Sequence, residues 1–365
     1  ISAPPHLAAA ARQDNFVQYT EFFLTALRDR LTARVIAGIP GDAGVLAAAL
    51  MTGDRAGIPD PVNDAMKASG LAHLISISGL HMGMVAGILF FSLRAVLALI
   101  EPVALRYPIK KWSAAFAMTG AFLYLLISGS SIPTQRSFLM TGLVLAAVML
   151  DRTAISMRTI MLAASVILLM APESLHSASF QMSFAAVIAL VALYERFSTQ
   201  LSYSMGEDGW FRRSAKYVLA MLATSFTAGL ATAPFAAFHF NRYTVYGLLA
   251  NMLAVPLTGA VIMPCAVAAF ILMPFGLERL ALWPMGWGVQ WVIGIAYWVA
   301  GLPGAVMAVG QAPDMVLLLI VGGGLWLCLW ERGWRWAGFA PVALGLVIWM
   351  SGASYRPDIL VEGQG

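Results

Sequence analysis

Long apolar segments alternate with short polar connections along the chain from residue 74 onward. A helix needs about 20 mostly apolar residues to cross a bilayer, and most of the segments approach that length. The pattern therefore predicts an all-α fold, a polytopic transmembrane helical bundle in which some segments are broken or re-entrant. The ten predicted segments are 74–100, 112–130, 135–150, 157–171, 178–196, 215–236, 244–273, 282–302, 314–331 and 335–351.

The first 70 residues have a different pattern, in which charged residues are frequent. An apolar stripe recurs there at spacings of three and four residues, which is typical of an amphipathic helix lying in a membrane interface. We therefore predict an interfacial helical region over 1–70, followed by a transmembrane domain over 71–352. The stripe consists of Phe16, Tyr19, Phe23, Leu27, Leu31 and Val35.

Composition supports membrane insertion. The chain is 60% hydrophobic and 11% charged, and its mean hydropathy is +0.79. A soluble domain carries roughly 25% charged residues, so an ordinary soluble protein is excluded. Cys265 and Cys328 both lie in apolar segments and are expected to be separate buried thiols. The start at Ile1 and the abrupt end at Gly365 suggest a piece of a longer protein.

The basic residues between the segments predict an orientation. The even-numbered connections hold only Arg136 and Arg242, whereas the odd-numbered ones are rich in lysine and arginine. Basic connections stay on the cytoplasmic side, so both ends of the chain should lie outside the cytoplasm. The odd-numbered connections and their flanks hold Arg106, Lys110, Lys111, Arg152, Arg158, Arg196, Arg212, Arg213, Lys216, Arg279, Arg332 and Arg335.

A polar cluster opens the first apolar segment, in the run LAHLISISGLHMGMVAG from residue 71. Its candidate site residues are His73, Ser76, Ser78 and His81. Polar groups within a span are costly and usually functional. No further ligand stands at a suitable spacing, so neither a metal nor another cofactor is predicted. An intramembrane serine hydrolase, with His176 or His239 as its base, remains a distant alternative.

Further polar residues occupy later segments and could line a hydrated path together. Each alone is more often a cap or an interhelical hydrogen bond. These candidates are Gln135, Arg136, Gln181, Ser183 and Asn251.

Glycines and prolines add structural predictions. Gly79, Gly83 and Gly87 form a small-residue stripe that would allow close helix packing. Pro256 and Pro264 make segment 244–273 the best candidate for a discontinuous helix.

The runs GLAHLISISGLHMGMV, TQRSFLMTGLVLAAVMLDR and PESLHSASFQMSFAAVIAL resemble the ComEC family of bacterial competence proteins. The resemblance implies a channel that carries single-stranded DNA across the inner membrane during natural transformation. It also implies a periplasmic DNA-binding receptor and a cytoplasmic motor or single-stranded-DNA-binding protein as partners, besides membrane lipid. The closing residues 353–365 resemble the start of an extracytoplasmic domain.

Many family members carry a metallo-β-lactamase-like nuclease, but its His-x-His-x-Asp-His cluster does not occur in this sequence. No phosphate-binding loop occurs either, so no enzymatic activity is predicted. The alternative function is a secondary transporter or small-solute channel, because broken helices also mark substrate sites in transporters.

Overall fold

The structure is a computed structural model that describes the backbone of residues 5–152, 156–204, 210–330 and 332–352. Residues 353–365 and the Phe16 side chain lie outside the described part. The helices are α1 (Pro5–Gly38), α2 (Asp42–Thr52), α3 (Asp60–Ala68), α4 (Ala72–Ile75), α5 (Gly79–Ala98), α6 (Glu101–Arg106), α7 (Ile109–Ile127), α8 (Ile132–Met149), α9 (Met157–Met170), α10 (Ala178–Ser204), α11 (Trp210–Phe240), α12 (Gly247–Leu257), α13 (Met263–Leu272), α14 (Arg279–Ala300), α15 (Asp314–Leu329) and α16 (Phe339–Gly352).

The chain is a helical membrane protein, as its hydropathy predicted, and every predicted apolar segment falls on helical structure. Five stretches of the described chain are long and apolar enough to cross a membrane. They are Gly79–Ala98, Ile132–Met149, Ala178–Phe197, Val218–Phe240 and Gly247–Phe275.

One short strand pair was not predicted. Strands β1 (Arg242–Thr244) and β2 (Val306–Ala308) pair antiparallel, with Tyr243 opposite Met307. Three residues per strand are too few to stand out against the apolar segments beside them.

The chain divides into two compact units. The first comprises Ile1–Ala154 and Leu253–Gly301, and the second comprises Ile155–Met252 and Leu302–Gly365. The helices α1 to α4 therefore pack within the first unit. The predicted functional boundary at residue 70 stays a prediction, because packing alone does not test it.

Helices α5, α7, α8 and α13 surround the core of the first unit. Lipid tails are as apolar as these side chains, so close packing rather than water exclusion holds such helices together. The core residues are Ile77, Met82, Val85, Ala86, Ala114, Ala117, Ala121, Tyr124, Leu125, Leu145, Met263 and Val267.

The glycine stripe of α5 does not face this core, which corrects the sequence prediction. A side chain at Gly83 or Gly87 would meet no atom within 4 Å. The buried face of α5 instead carries His81, Met82 and Val85. The spacing of the glycines revealed a stripe but not the direction in which it points.

The small-residue face lies on α7. Ala114, Ala117 and Ala121 are fully buried, and a side chain at Gly120 would collide with Leu89 of α5. Alanine and glycine on α7 therefore allow the close approach of α5 that Gly83 had been predicted to provide.

Helix α2 is buried along nearly its whole length. Tyr124 of α7 donates a hydrogen bond to the Leu50 carbonyl at 2.7 Å. Thr32 of α1 and Thr52 of α2 share a hydroxyl hydrogen bond of 2.8 Å. The first bond is buried, and the second is half-buried at the Thr32 side.

Helix α1 has two different halves. Val35 is fully buried, whereas Tyr19 and Phe23 are 70% and 58% exposed. Near the buried end, Arg34 donates to Glu278 at 2.7 Å. The backbone N–H of Glu278 and the Arg34 side chain hold the pKa of this carboxyl below its ordinary value. The predicted helix is confirmed, and its interfacial position stays a prediction.

Segment 244–273 begins with the last residue of β1 and is helical from Gly247 onward, so its predicted discontinuity takes a milder form. After Pro256 the backbone widens into a π-helical turn over Thr258–Ile262, and α13 follows directly with Pro264 near its start. The Thr258 hydroxyl donates to the Ala254 carbonyl at 2.8 Å, which satisfies a backbone group near the wide turn. The irregularity lies where the prolines predicted it, without a gap in the helix.

In the second unit, α15 and α16 form a close helical hairpin. A side chain at Gly323 would come within 2.6 Å of the Gly338 carbonyl, and one at Gly345 within 2.8 Å of Ile320. Glycine is required at these crossings because the two backbones leave no room.

Cys265 and Cys328 are both free thiols and half-buried.

We expect Ala117→Leu to destabilise the protein by about 1–3 kcal/mol, because its added side chain overpacks the contact with α5. Gly83→Leu is the matched control, and it should leave stability within about 0.5 kcal/mol because its site is open. Thermal unfolding of both variants in detergent measures the difference. An equal loss in both would show that the glycine face is packed after all.

Candidate functional site

The predicted site residues are divided between the two units. The second unit holds Gln181, Ser183 and Asn251. The first unit holds His73, Ser76, Ser78, His81, Gln135 and Arg136, all near the N-terminal ends of α5 and α8.

The N-terminal ends of α5 and α8 meet in the first unit. A side chain at Gly79, the first residue of α5, would lie 3.8 Å from the Ser137 hydroxyl of α8. Helix N-termini present unpaired N–H groups and carry a partial positive charge. Two adjacent ends create a local environment that favours anions.

His81 is fully buried and bends back to the start of its own helix. Its Nδ1 accepts a hydrogen bond from the Ser78 backbone N–H at 3.3 Å and lies 3.1 Å from the Ser78 hydroxyl. A backbone N–H can only donate, so Nδ1 is unprotonated and the neutral ring carries its proton on Nε2. That Nε2–H donor is buried and has no hydrogen-bond partner among the described residues.

The contact between Ser78 and His81 resembles the pairing of nucleophile and base in a serine hydrolase, but its geometry is that of a helix cap. Ser78 is the residue that precedes α5, and His81 follows three positions later, which is the spacing of a capping pair. A general base is normally oriented by a third group on its other nitrogen. Here Nε2 has none among the described residues.

Arg136 and Gln135 lie in the first two turns of α8. Arg136 is only 5% exposed, so the helix carries a cation on its protein-facing side. Gln135 is exposed and donates to the Ser130 carbonyl at 2.7 Å. Burial of an arginine in an apolar span is costly and typical of functional positions.

The other two residues of the first group lie before α5. His73 is exposed and its Nδ1 is 3.2 Å from the Gly70 carbonyl. Ser76 is half-buried in the extended backbone that ends α4.

In the second unit, Gln181 is part of a hydrogen-bond bridge that the sequence did not predict. Its amide donates to the Leu175 carbonyl at 2.9 Å, and its oxygen is 2.7 Å from His239 Nε2. His239 therefore donates its Nε2–H and connects the end of α11 to the start of α10. The two residues are 58 positions apart, so spacing gave no signal for this pair.

Asn251 and Ser183 complete the second group. Asn251 is half-buried within α12, and its Oδ1 is a buried acceptor without a partner among the described residues. Ser183 is half-buried on α10, one position before Phe184, whose ring lies 4.4 Å from that of Phe180. Polar groups and aromatic rings thus alternate along the start of α10.

No group of three His, Cys, Asp or Glu side chains is positioned to hold a metal ion in the part of the chain that the structure describes. The predicted absence of a metal stays a prediction.

An ion pair connects the opposite ends of α7 and α8. Lys111 Nζ lies 2.6 Å from the Asp151 carboxylate. The hydrogen bond from Lys111 lowers the pKa of Asp151. Both groups are solvent-exposed, so this pair contributes little to stability.

The model of the competence protein family matches residues 50–334, which is most of the chain. ComE operon protein 3 of Bacillus subtilis is 28% identical over 254 residues, covering 69% of this chain and 30% of that protein. Competence protein ComA of Neisseria gonorrhoeae is 28% identical over 321 residues, covering 87% of this chain and 42% of that protein.

Recombination protein 2 of Haemophilus influenzae is 28% identical over 224 residues, covering 61% of this chain and 28% of that protein. The chain thus spans less than half the length of these relatives. No solved structure matches it.

The cap at His81 gives a stability prediction. His81→Asn keeps an acceptor near the Nδ1 position, so it should retain the hydrogen bond to the Ser78 N–H. His81→Ala removes that acceptor and should lower the free energy of unfolding by about 1 kcal/mol relative to Asn. Thermal unfolding in detergent compares the two variants. Equal stability would mean that the hydrogen bond at Nδ1 contributes nothing.

Proposed function

This chain belongs to the competence protein family, and on that premise we propose that it forms the path by which single-stranded DNA crosses the bacterial inner membrane during natural transformation. The observation that supports this most is that two polar side chains are buried near the adjoining N-terminal ends of α8 and α5. Arg136 of α8 is a cation, and His81 of α5 is a hydrogen-bond donor.

A DNA strand cannot cross hydrocarbon unaided, because each bare phosphate charge costs at least several kcal/mol there. It needs a hydrated groove that offers positive charge and hydrogen-bond donors. Arg136 supplies the charge. The Nε2–H of His81, which has no partner among the described residues, supplies a donor, and the helix ends add partial positive charge. His73, Ser76 and Ser78 extend the same polar stretch, and Gln135 adds an exposed amide.

The second unit, taken by itself, carries groups of the kind that bind bases. Single-stranded DNA binds stacking surfaces and hydrogen-bonding groups without a strong need for sequence. Gln181 and Ser183 offer hydrogen-bonding groups on α10, beside the buried and mutually packed rings of Phe180 and Phe184. Asn251 Oδ1, which has no partner among the described residues, is an acceptor for a base amine. A path assembled from weak contacts lets the polymer leave as well as enter.

The path is proposed as a conduit without a catalytic step of its own. An energy source must then come from a partner, for which a cytoplasmic motor or a single-stranded-DNA-binding protein is suitable. A DNA-binding receptor on the outer side would deliver the strand. The relatives' names, ComA as a competence protein and Recombination protein 2, agree with a role in DNA acquisition.

The proposed orientation follows from the basic connections. Arg106 precedes α7, and Lys110 and Lys111 lie in its first turn. Arg332 and Arg335 follow α15. These basic connections are therefore expected in the cytoplasm. Both ends of the chain then lie on the outer side of the inner membrane.

Charge reversal at Arg136 tests the path. In a full-length host protein, Arg136→Glu should cut transformation far more than Arg136→Lys, since lysine keeps the charge and loses only the fork geometry. Transformation frequency at matched protein levels is the measurement. His81→Asn should also lower uptake, because it lacks the Nε2 donor while keeping the cap.

Two outcomes would contradict this assignment. Normal transformation by well-expressed Arg136→Glu would make the arginine a structural residue. Loss of a small-solute flux with intact DNA uptake would favour the transporter alternative instead.

Reporter fusions test the orientation. An enzyme that is active only outside the cytoplasm should be active when fused after Gly365 and inactive when inserted in the connection between α10 and α11. The reverse pattern would exclude the proposed topology and leave the DNA path itself untested by this assay.

A further inference from the structure

We propose that the turn between α15 and α16 binds the headgroup of an anionic phospholipid. The turn is Trp330 to Gly338, with Glu331 outside the described residues, and we call it the tryptophan turn. The proposal is independent of DNA transport, since it concerns a surface of the second unit that the proposed path does not use.

The length of the hairpin determines where the tryptophan turn lies in the bilayer. Helix α15 has 16 residues and α16 has 14, so they measure about 24 Å and about 21 Å at 1.5 Å per residue. The hydrocarbon core is about 30 Å thick. A helical hairpin shorter than this core is accommodated by local thinning of the bilayer and by flanking side chains that reach the interface. The turn that joins its two helices then lies at the level of the lipid headgroups.

Two tryptophans of the turn each stack on an aromatic ring of an adjoining helix. Trp326 and Trp330 are parallel with centroids 4.2 Å apart, and Trp336 lies parallel to Phe339 at 5.7 Å. Trp334 is the most exposed of these tryptophans, at 64%. Tryptophan prefers the membrane–water interface, where its ring lies among headgroups.

Two arginines give the turn its charge preference. Arg335 donates from Nη2 to the Leu327 carbonyl at 2.8 Å, while its Nε is a buried donor with no partner among the described residues. Arg332 is exposed and makes no ion pair within the described chain. With Glu331, the turn has a net charge of +1. A phosphate at headgroup level offers an acceptor for the Nε–H of Arg335 and a counter-charge for Arg332.

The stacking also argues against nucleic acid as the occupant. Single-stranded DNA binds free aromatic faces. Trp330 and Trp336 of this turn each have one face covered by a ring of an adjoining helix, Trp326 of α15 and Phe339 of α16. The exposed edges and the two guanidinium groups are suited to a phosphoglycerol headgroup, which carries one negative charge.

Native mass spectrometry of the detergent-purified chain tests the proposal by titration with phosphatidylglycerol and with phosphatidylcholine of the same acyl chains. The wild type should retain phosphatidylglycerol in preference. Arg332→Gln should weaken that binding about fivefold, and the double variant R332Q/R335Q about thirtyfold, as expected from the attraction of each arginine to an anionic surface. Binding of phosphatidylcholine should not change.

The double variant R30Q/R55Q is the matched control, because both arginines are exposed, lie in the first unit and make no ion pair within the described residues. It should bind phosphatidylglycerol as the wild type does. Arg332→Gln removes no ion pair among the described residues, so it keeps the test valid if loss of the hydrogen bond from Arg335 to Leu327 prevents folding.

Equal phosphatidylglycerol binding by wild type and Arg332→Gln would overturn the proposal. The same losses in R30Q/R55Q would show non-specific charge attraction and also overturn it. A dT oligonucleotide that binds the wild type and fails to bind Arg332→Gln, with lipid binding intact, would identify the turn as a nucleic-acid surface.

Discussion

The packing of the first unit depends on the hydrogen bond that ends the buried helix α2. The last carbonyls of a helix lack partners within it, and a buried one left unpaired costs about 1–3 kcal/mol. Tyr124 meets this need by donating to the Leu50 carbonyl at 2.7 Å, while Gly53 ends the helix in the left-handed conformation at φ 78°. Because Tyr124 belongs to α7, this bond fixes α7 against α2, and the alanine face of α7 then positions α5.

Hydropathy predicted the apolar segments because membrane insertion depends on the free energy of transferring side chains from water to lipid, and this quantity can be read from the residue types. It could not predict which face of each helix meets protein. On α5 the glycines suggested the packed face, yet His81 is buried and Gly83 is open. A polar residue can occupy the buried face of a helix when a nearby residue of the same segment satisfies its hydrogen bonds, as Ser78 does for His81. The three-residue spacing of Ser78 and His81 is a signal from which that local cap could have been predicted.

Other contacts were beyond prediction because they join distant parts of the chain. The bond from His239 to Gln181 crosses 58 positions, and the one from Tyr124 to Leu50 crosses 74. Neither residue pair carries a periodicity or motif that would connect them. The prolines of segment 244–273 did indicate an irregular backbone, but a π turn keeps the helix continuous by changing its hydrogen-bond partners after Pro256.

The unpartnered polar atoms connect stability to function. His81 Nε2 and Asn251 Oδ1 are buried without partners in the described chain, and each such atom costs free energy that a purely structural residue would avoid. A leucine at position 81 would remove that cost, although it would also remove the cap on Ser78. The cap accounts for Nδ1 and leaves Nε2 unexplained. A donor without a partner among the described residues is suited to a ligand that binds and leaves, because a permanent internal partner would occupy the position that a phosphate on the proposed DNA path requires.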